Sequence, residues 1–193
     1  MSISSEHMSA FNAAFERAKA SGRRNMNAMS LATVDTQGRP SVRSVLLRAL
    51  DDEGLCFFTD ARSHKARDLA SNPHACLCVY WEPIEEQARV DGRVEPLSRA
   101  EIEADFASRP RAGQVLIMAS PQTEPLDSLQ TLRDRAASLD RSLPDPVPCP
   151  PHWTGFRLRP DRVELWKGAR DRMHERTVFY LNDGVWHRGL LHP

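Results

Sequence analysis

The chain has 193 residues, which is enough for one domain with a buried core. Its 26 lysines and arginines balance 26 acidic residues, and this neutrality argues against nucleic acid or an anionic membrane as the partner. No apolar run is long enough to span a bilayer, and residues 1–7 lack the pattern of a signal peptide. We therefore expect a cytoplasmic protein that makes no contact with a membrane.

The first half of the chain is predicted to form a helix followed by antiparallel strands. Phe11, Ala14 and Phe15 make a short apolar stripe at helical spacing. Short polar turns separate the apolar runs that follow, as in a meander of antiparallel strands. The predicted elements are a helix over 9–19, strands over 28–35, 41–49 and 55–59, a helix over 63–71, and strands over 75–81 and 86–94.

The second half is predicted to contain two helices, a proline-rich loop and further strands. Ser98 is a typical N-cap, with Glu101 at the third helical position. Five prolines in 143–151 predict an extended loop, and Asn182-Asp183-Gly184 predicts a hairpin turn. The predicted elements are helices over 98–107 and 126–139 and strands over 154–158, 163–166, 172–181 and 185–191.

Many strands joined by tight turns, with few helices, predict a mainly β fold of the α+β class built on a closed or nearly closed barrel. We expect an N-terminal helix and connector over 1–27 and a single domain over 28–193. The cysteines lack the paired spacing of a zinc site, so we expect reduced thiols and no metal; they are Cys56, Cys76, Cys78 and Cys149.

Three basic or ionisable side chains alternate near the C-terminus. Arg172, His174 and Arg176 would share one face of a strand, because alternate residues of a strand point the same way. Trp166 just upstream offers a flat apolar wall. The segment therefore predicts either a site for a small anionic ligand or an exposed edge strand that carries charge.

A second group of basic, aromatic and hydroxyl residues favours the ligand site. With the C-terminal segment, its motifs in chain order are Arg43-Ser44-Val45-Leu46-Leu47-Arg48, Phe58-Thr59, Ser63-x-Lys65 and Arg172-x-His174-x-Arg176. In order and spacing the chain from about residue 28 to 193 resembles the pyridoxamine 5'-phosphate oxidase family. The resemblance implies a split β-barrel that forms a homodimer, with FMN bound at the subunit interface.

The resemblance also implies which residues contact FMN. Arginine and lysine suit the phosphate, with hydroxyl and amide groups as further partners. His64 departs from the family, which usually has arginine there. Each residue singly is also compatible with an ordinary structural role. The residues that match cofactor contacts are Arg43, Val45, Leu46, Phe58, Thr59, His64, Lys65, Gln87, Gln122, Thr123, Trp166 and Arg176.

Four positions match the family's site for the substrate phosphate. Arg48 keeps a cation where the family has lysine, and Arg109 is retained. Asp105 replaces a tyrosine and Gly113 replaces a serine, so two hydrogen-bond donors are lost and one carboxylate is added. A carboxylate beside a phosphate is repulsive unless a cation neutralises it; Arg111 is a candidate, or Asp105 points away.

Arg172 and His174 match the family's catalytic, substrate-contacting pair. The implied activity is an FMN-dependent oxidase that converts pyridoxamine or pyridoxine 5'-phosphate to pyridoxal 5'-phosphate, with O2 as acceptor and hydrogen peroxide as product. Asp105 and Gly113 keep open a related FMN oxidase for another aromatic substrate, of the phenazine type. A flavin- or pyridoxal-phosphate-binding protein with little turnover is the third reading.

Overall fold

The computed structural model describes residues 3–193, so residues 1 and 2 of the predicted N-terminal segment lie outside it. Nine strands and five α-helices follow one another in this part of the chain. In order they are α1 Glu6–Ala20, β1 Ala28–Val34, β2 Pro40–Leu46, β3 Ala49–Asp51, β4 Gly54–Asp60, α2 His64–Ser71, β5 His74–Trp81, β6 Glu86–Pro96, α3 Arg99–Ala107, α4 Arg111–Ala119, α5 Leu129–Ser142, β7 Trp153–Lys167, β8 Glu175–Asn182 and β9 Val185–Leu190.

The strands form one antiparallel sheet in the order β2-β1-β5-β6-β7-β4-β3; β8 also pairs with β7, and β9 pairs with β8. The predicted strand 41–49 is broken, which corrects the simple meander. The Leu47 N–H donates to the Asn27 carbonyl beside β1, while the Arg48 N–H donates to the Cys56 carbonyl of β4. One segment therefore reaches both ends of the sheet and curls it into a split barrel, as predicted.

The main core is formed by apolar side chains from the strands and from helix α1, which packs against them. Met8, Phe11, Ala14 and Ala18 of α1 are buried in this core. The Trp81 ring packs edge-on against Phe11, and its indole N–H donates to the Met26 carbonyl at 2.8 Å. Helix α1 is thus part of the main core, and a division of the chain at residue 27 stays a prediction.

A smaller apolar cluster lies outside the barrel, beneath α3 and the proline-rich loop. Its buried members are Ile102, Phe106, Val147 and Trp153, and Phe58 packs against them. Helix α3 starts with the predicted capping box, in which the Ser98 side chain and the Glu101 backbone and carboxylate are paired. This cluster supports one wall of the cleft described below.

Three differences from the predicted elements have local causes. Helix α4 had no predicted counterpart, because its short apolar run Val115–Ala119 has no decisive period. The predicted strands 154–158 and 163–166 are one strand, β7. Pro160 lies within β7, opposite Gly92 of β6, where the register of the two strands shifts. A Cβ at position 92 would overlap the Arg159 carbonyl oxygen, so only glycine fits there.

The third difference concerns the C-terminal basic segment. Strand β8 starts at Glu175, and Arg172 precedes it in a turn with φ of 66°. Arg172, His174 and Arg176 therefore do not alternate along one strand face, which corrects the strand predicted over 172–181. The hairpin turn at Asn182-Asp183-Gly184 is confirmed between β8 and β9.

Candidate active site

A cleft of about 270 Å³ lies where β2, β4 and α2 meet the loops around α4. It brings together many of the predicted cofactor and substrate residues from distant parts of the chain. Ser44 and Trp153 line it as well, and neither was predicted. The lining consists of Ser44, Val45, Leu46, Arg48, Phe58, Thr59, Lys65, Arg109, Gln122 and Trp153.

A lysine with neutral partners marks one end of the cleft. Lys65 Nζ donates to Thr59 Oγ1 at 3.0 Å and to Gln122 Oε1 at 3.2 Å. Burial lowers the pKa of Lys65 from its ordinary value, and the nearby positive charge of Arg43 lowers it further. A bound anion would relieve both effects, so this end of the cleft favours an anionic group.

Arg43 is held behind this lysine by hydroxyl groups and one buried carboxylate. It donates to Thr33 Oγ1 at 2.6 Å and to Ser41 Oγ at 2.8 Å, and its Nη2 lies 3.5 Å from Asp68 Oδ2. Burial lowers the pKa of Arg43, and the charge of Asp68 opposes that change. Arg43 therefore adds fixed positive charge near Lys65.

Asp68 is a buried residue of this group that the sequence analysis missed. It accepts a hydrogen bond from Thr33 Oγ1 at 2.6 Å, and its other oxygen lies 3.5 Å from His64 Nε2. The spacing of His64 and Asp68, four residues apart on a predicted helix, was the available signal. Thr123 joins the same end of the cleft, because its hydroxyl accepts from the His64 backbone N–H at 3.3 Å.

The edge strand β2 gives the cleft unpaired backbone groups. Successive backbone N–H groups of an antiparallel strand point to opposite sides. The Leu47 N–H points toward β1, so the Val45 N–H also points toward β1 and the Leu46 N–H points away from β1. Leu46 thus presents a free donor at the open edge of the sheet, beside Lys65 and Phe58.

The other end of the cleft holds two arginines, Arg48 and Arg109, called the arginine pair below. One carboxylate, Asp105, joins them: Oδ1 accepts from Arg48 Nε at 2.9 Å, and Oδ2 accepts from Arg109 Nε at 2.8 Å. The Arg109 guanidinium also lies 4.8 Å from the centre of the Trp153 ring and 5.9 Å from that of Phe58. Cation–π contacts of this kind hold the guanidinium plane in place.

One expectation about this end is corrected. Arg111 does not neutralise Asp105, because Arg111 pairs with Asp140 at 2.7 Å and with carbonyls at the end of α5. Asp105 is instead neutralised by the arginine pair, and it is not among the residues that line the cleft. Gly113 lies on α4 outside the cleft lining, and a Cβ there would meet nothing within 4 Å.

The remaining predicted site residues form a second group at the far end of β7. Gln87 is paired with Trp166, and Trp166 with Arg176, across β6, β7 and β8. The His174 and Trp166 rings lie 4.8 Å apart, and His174 Nδ1 accepts from the Ala169 N–H. Arg172 lies in the adjoining turn. Trp166 also lines a second cavity, of about 460 Å³, between α1, β7 and β8.

Arg176 is held by a buried acid that the sequence analysis also missed. Glu164 Oε1 accepts from Arg176 Nε at 3.0 Å and from its Nη2 at 2.6 Å. Burial alone would raise the pKa of Glu164, but the hydrogen bonds from Arg176 and Arg162 and the charges of Arg176 and Arg89 outweigh it and lower the pKa. Glu164 therefore stays ionised and keeps Arg176 in position.

One protomer does not bring the two groups together. Gly155 is paired with Phe58 of the cleft, whereas Trp166 lies eleven positions further along the same strand. At the rise of a β-strand this is a separation of roughly 35 Å. A site that uses all of the predicted residues therefore needs a second copy of the chain.

We expect Gly155→Ala to weaken ligand binding in the cleft. A Cβ at Gly155 would lie 2.7 Å from Phe58 Cδ1 and Cε1 and 2.9 Å from Leu97 Cδ1, so the Phe58 ring must move toward the cleft. The loss should be roughly ten-fold in flavin affinity, by analogy with the cost of overpacking. Flavin fluorescence on titration measures it, and unchanged affinity would contradict this placement of Phe58. Gly189→Ala, with its nearest neighbour at 3.8 Å, is the matched control.

The chemistry of the cleft fits FMN. A flavin phosphate needs cations and hydroxyl or amide donors, and Lys65, Arg43 and Thr59 supply them at one end. The free edge of β2 offers a backbone donor to a ring.

In residues 3–193, no helix combines the length and apolar character that crossing a membrane requires. The same part of the chain has no group of three or more His, Cys, Asp or Glu residues suited to a metal ion.

Comparisons with known proteins give a consistent result. Residues 15–140 match the family model described as pyridoxamine 5'-phosphate oxidase, and residues 153–193 match that of the pyridoxine 5'-phosphate oxidase C-terminal dimerisation region. A pyridoxine/pyridoxamine 5'-phosphate oxidase of Myxococcus xanthus strain DK1622 is 46% identical over 180 residues, covering 93% of this chain and 87% of that protein. Its counterpart from Sphingopyxis alaskensis is 40% identical over 192 residues, covering 99% and 89%.

Two solved structures have closely similar folds. PhzG from Burkholderia lata 383, in complex with tetrahydrophenazine-1-carboxylic acid, superposes with a TM-score of 0.93 at 29% identity, covering 98% of this chain and 94% of that one. An FMN-binding protein from Nostoc punctiforme, related to pyridoxamine 5'-phosphate oxidase, has a TM-score of 0.82 at 23% identity over the full length of both chains. The second likeness concerns the fold alone.

Proposed function

Because the chain belongs to the pyridoxamine 5'-phosphate oxidase family, we propose that it is an FMN-dependent oxidase that forms pyridoxal 5'-phosphate from pyridoxamine or pyridoxine 5'-phosphate. One observation carries the proposal beyond the family match. A single cleft holds two separate cationic sites, Lys65 at one end and the arginine pair at the other. Two phosphate groups, one from the cofactor and one from the substrate, account for both.

We assign the Lys65 end to the cofactor phosphate. Lys65, Arg43 and Thr59 provide charge and hydroxyl contacts there, and Gln122, Thr123 and His64 lie beside them. The edge of β2 at Val45 and Leu46 would contact the flavin ring, with Phe58 in the cleft wall. The arginine pair would then receive the phosphate of the substrate.

In a dimer, the second group of one protomer would contribute to the site of the other protomer. The match to a dimerisation region over 153–193 supports a homodimer, and all of the second group except Gln87 lies in that region. We propose that Gln87, Trp166 and Arg176 of one protomer complete the cofactor site of the other. Arg172 and His174 would contact the substrate there.

When bound, FMN supplies the chemistry that takes a hydride from the substrate carbon and returns the electrons to O2, with hydrogen peroxide as product. The protein's own residues bind and orient. Arg172 is permanently charged, so it serves to hold the substrate rather than to take a proton. His174 is oriented by the Ala169 N–H, which donates to Nδ1 and leaves Nε2 to face a ligand. No strong protein base is needed.

We also propose that the enzyme works in the cytoplasm. All four cysteines are free thiols, and free thiols persist in reducing compartments.

A second candidate function is oxidation of another aromatic substrate. It is favoured by the fold likeness to PhzG and by Asp105, which reduces the positive charge of the arginine pair. A protein that binds flavin or pyridoxal phosphate with little turnover is disfavoured, since Arg172 and His174 have no use in a carrier.

Anaerobic mixing tests the proposed function. The FMN-loaded protein is combined with pyridoxamine 5'-phosphate while the visible absorbance of the flavin is recorded. Rapid bleaching that reverses when air is admitted is the expected result. If neither this substrate nor pyridoxine 5'-phosphate bleaches a protein that retains FMN, the proposal is wrong, and a reduced phenazine carboxylic acid becomes the next substrate to test.

A further inference from the structure

Asp105 is a carboxylate placed between the two cations of the arginine pair. Its side chain is only 8% exposed, against 34% for Arg48 and 21% for Arg109. Both of its oxygens are occupied by guanidinium donors at 2.8 to 2.9 Å. The carboxylate is therefore buried behind the pair: it contacts both arginines that line the cleft but is not itself part of the lining.

The carboxylate reduces the charge available to a ligand. Two guanidinium groups and one carboxylate leave a net charge of about one positive unit, whereas a phosphoryl group near neutral pH carries between about −1.5 and −2. Asp105 also takes the Nε and Nη2 donors of Arg109, the edge with which arginine makes its paired contacts. The arginine pair therefore carries less positive charge than is needed to neutralise a phosphoryl group. The Nε/Nη2 edge of Arg109 is also already occupied by Asp105.

A purely orienting role for Asp105 is not required by the contacts. The Trp153 and Phe58 rings already hold the Arg109 guanidinium, and Arg48 Nη2 has a second partner in Ser108 Oγ at 3.4 Å. An amide of the same shape has one accepting oxygen, so it would keep one of the two guanidinium contacts, while the rings hold Arg109 and Ser108 remains beside Arg48. The charge of Asp105 can therefore be removed while part of the geometry of the pair is kept.

We propose that Asp105 is a specificity-determining residue that weakens the hold of the arginine pair on the phosphoryl group of substrate and product. The inference rests on the proposed function, in which this pair receives the substrate phosphate. With Asp105 present, the protein binds phosphorylated ligands less tightly than the two arginines alone would bind them. The same charge eases release of the phosphorylated product.

The test uses Asp105→Asn, which keeps the shape of the side chain and removes its charge. FMN-loaded wild type and variant are titrated with inorganic phosphate and with pyridoxal 5'-phosphate by calorimetry. We expect both dissociation constants to fall by roughly ten-fold in the variant, because a nearby like charge is removed. The KM for pyridoxamine 5'-phosphate should fall in parallel.

Two further variants complete the design. Asp105→Tyr removes the charge with a different shape and should also tighten binding, so it replaces the asparagine variant if that one does not fold. Asp140→Asn is the matched control, because Asp140 pairs with Arg111 outside the cleft. It should leave both dissociation constants unchanged.

The outcomes separate this inference from the proposed function. Equal or weaker phosphate binding in both neutral variants would show that Asp105 only positions the arginines, and the inference would be overturned even in an active oxidase. If the neutral variants bind phosphate more tightly but wild type does not oxidise pyridoxamine 5'-phosphate, the inference stands and the proposed function fails.

Discussion

A dimer made from two inactive variants, Arg109→Ala and Arg172→Ala, recovers about half of the wild-type oxidase activity if each active site draws on both protomers. Each variant alone should lose most of its activity, roughly 100-fold, because a charged contact to the substrate is removed. In the mixed dimer one site carries both substitutions and the other carries none. The roughly 35 Å between the cleft and the second group along β7 is the reason for this expectation.

The experiment requires a defined heterodimer. The two variants are co-expressed with different affinity tags, the mixed dimer is isolated in two steps, and the initial rate is measured per bound FMN. Retention of FMN by Arg172→Ala is a necessary result, because Arg172 is assigned to the substrate. A variant that loses its flavin would contradict that assignment.

The reciprocal heterodimer is the control. It combines a protomer that carries both Arg109→Ala and Arg172→Ala with a wild-type protomer. When sites are shared across the interface, each site of this dimer has one substitution and activity is lost. If each protomer had its own complete site, this dimer would keep about half of the activity and the first mixture would be inactive.

Lys65→Ala should raise the dissociation constant for FMN by roughly 10- to 100-fold, the usual cost of a charge-assisted contact to phosphate. Lys65 has only neutral partners in the cleft, Thr59 and Gln122, so its charge is available to an anion. Fluorescence quenching of FMN on titration with the apo-protein measures the effect. Lys19→Ala is the matched control, since Lys19 pairs with Glu16 on the surface of α1.

The affinity for FMN should also fall with rising pH. Burial, together with Arg43, lowers the pKa of Lys65, so the ligand-free protein loses this proton at a lower pH than an ordinary lysine does. The phosphate binds best to the protonated form, and affinity is therefore greatest below the lowered pKa and declines above it. Lys65→Arg should decline less over the same range, because arginine keeps its charge. An identical pH profile in both proteins would show that Lys65 does not contact the phosphate.

Much of the cleft was predictable from the sequence because its residues belong to short motifs at strand and helix ends. Thr59 and Lys65 lie six residues apart, at the end of β4 and the start of α2, so local structure brings them together, whereas Leu46 reaches the same space only through the packing of β2. For the second group, the sequence indicated which residues to consider but not how they are arranged in space. The alternation of Arg172, His174 and Arg176 suggested a strand, whereas positive φ at Arg172 places the first two in a turn.

Other residues depend on contacts between distant segments. Asp105 was considered with Arg111, its neighbour on the next helix, but one of its partners is Arg48, which lies 57 positions earlier in the chain. Trp153 and Asp68 belong to none of the motifs in the sequence analysis, and only the folded chain brings them to Arg109 and Arg43. Spacing along a helix indicates local pairs such as His64 and Asp68, but contacts between distant segments are set by how the strands close the barrel.

Leu46 and Arg48 lie two residues apart at the break between β2 and β3, on a stretch of backbone that is hydrogen-bonded both beside β1 and to β4. Their Cα atoms cannot lie more than about 7 Å apart. Under the proposed assignment, this short segment limits how far the backbone that carries Arg48 can lie from a ring at the edge of β2. Ligands would then be selected in part by the distance between their ring and their anionic group.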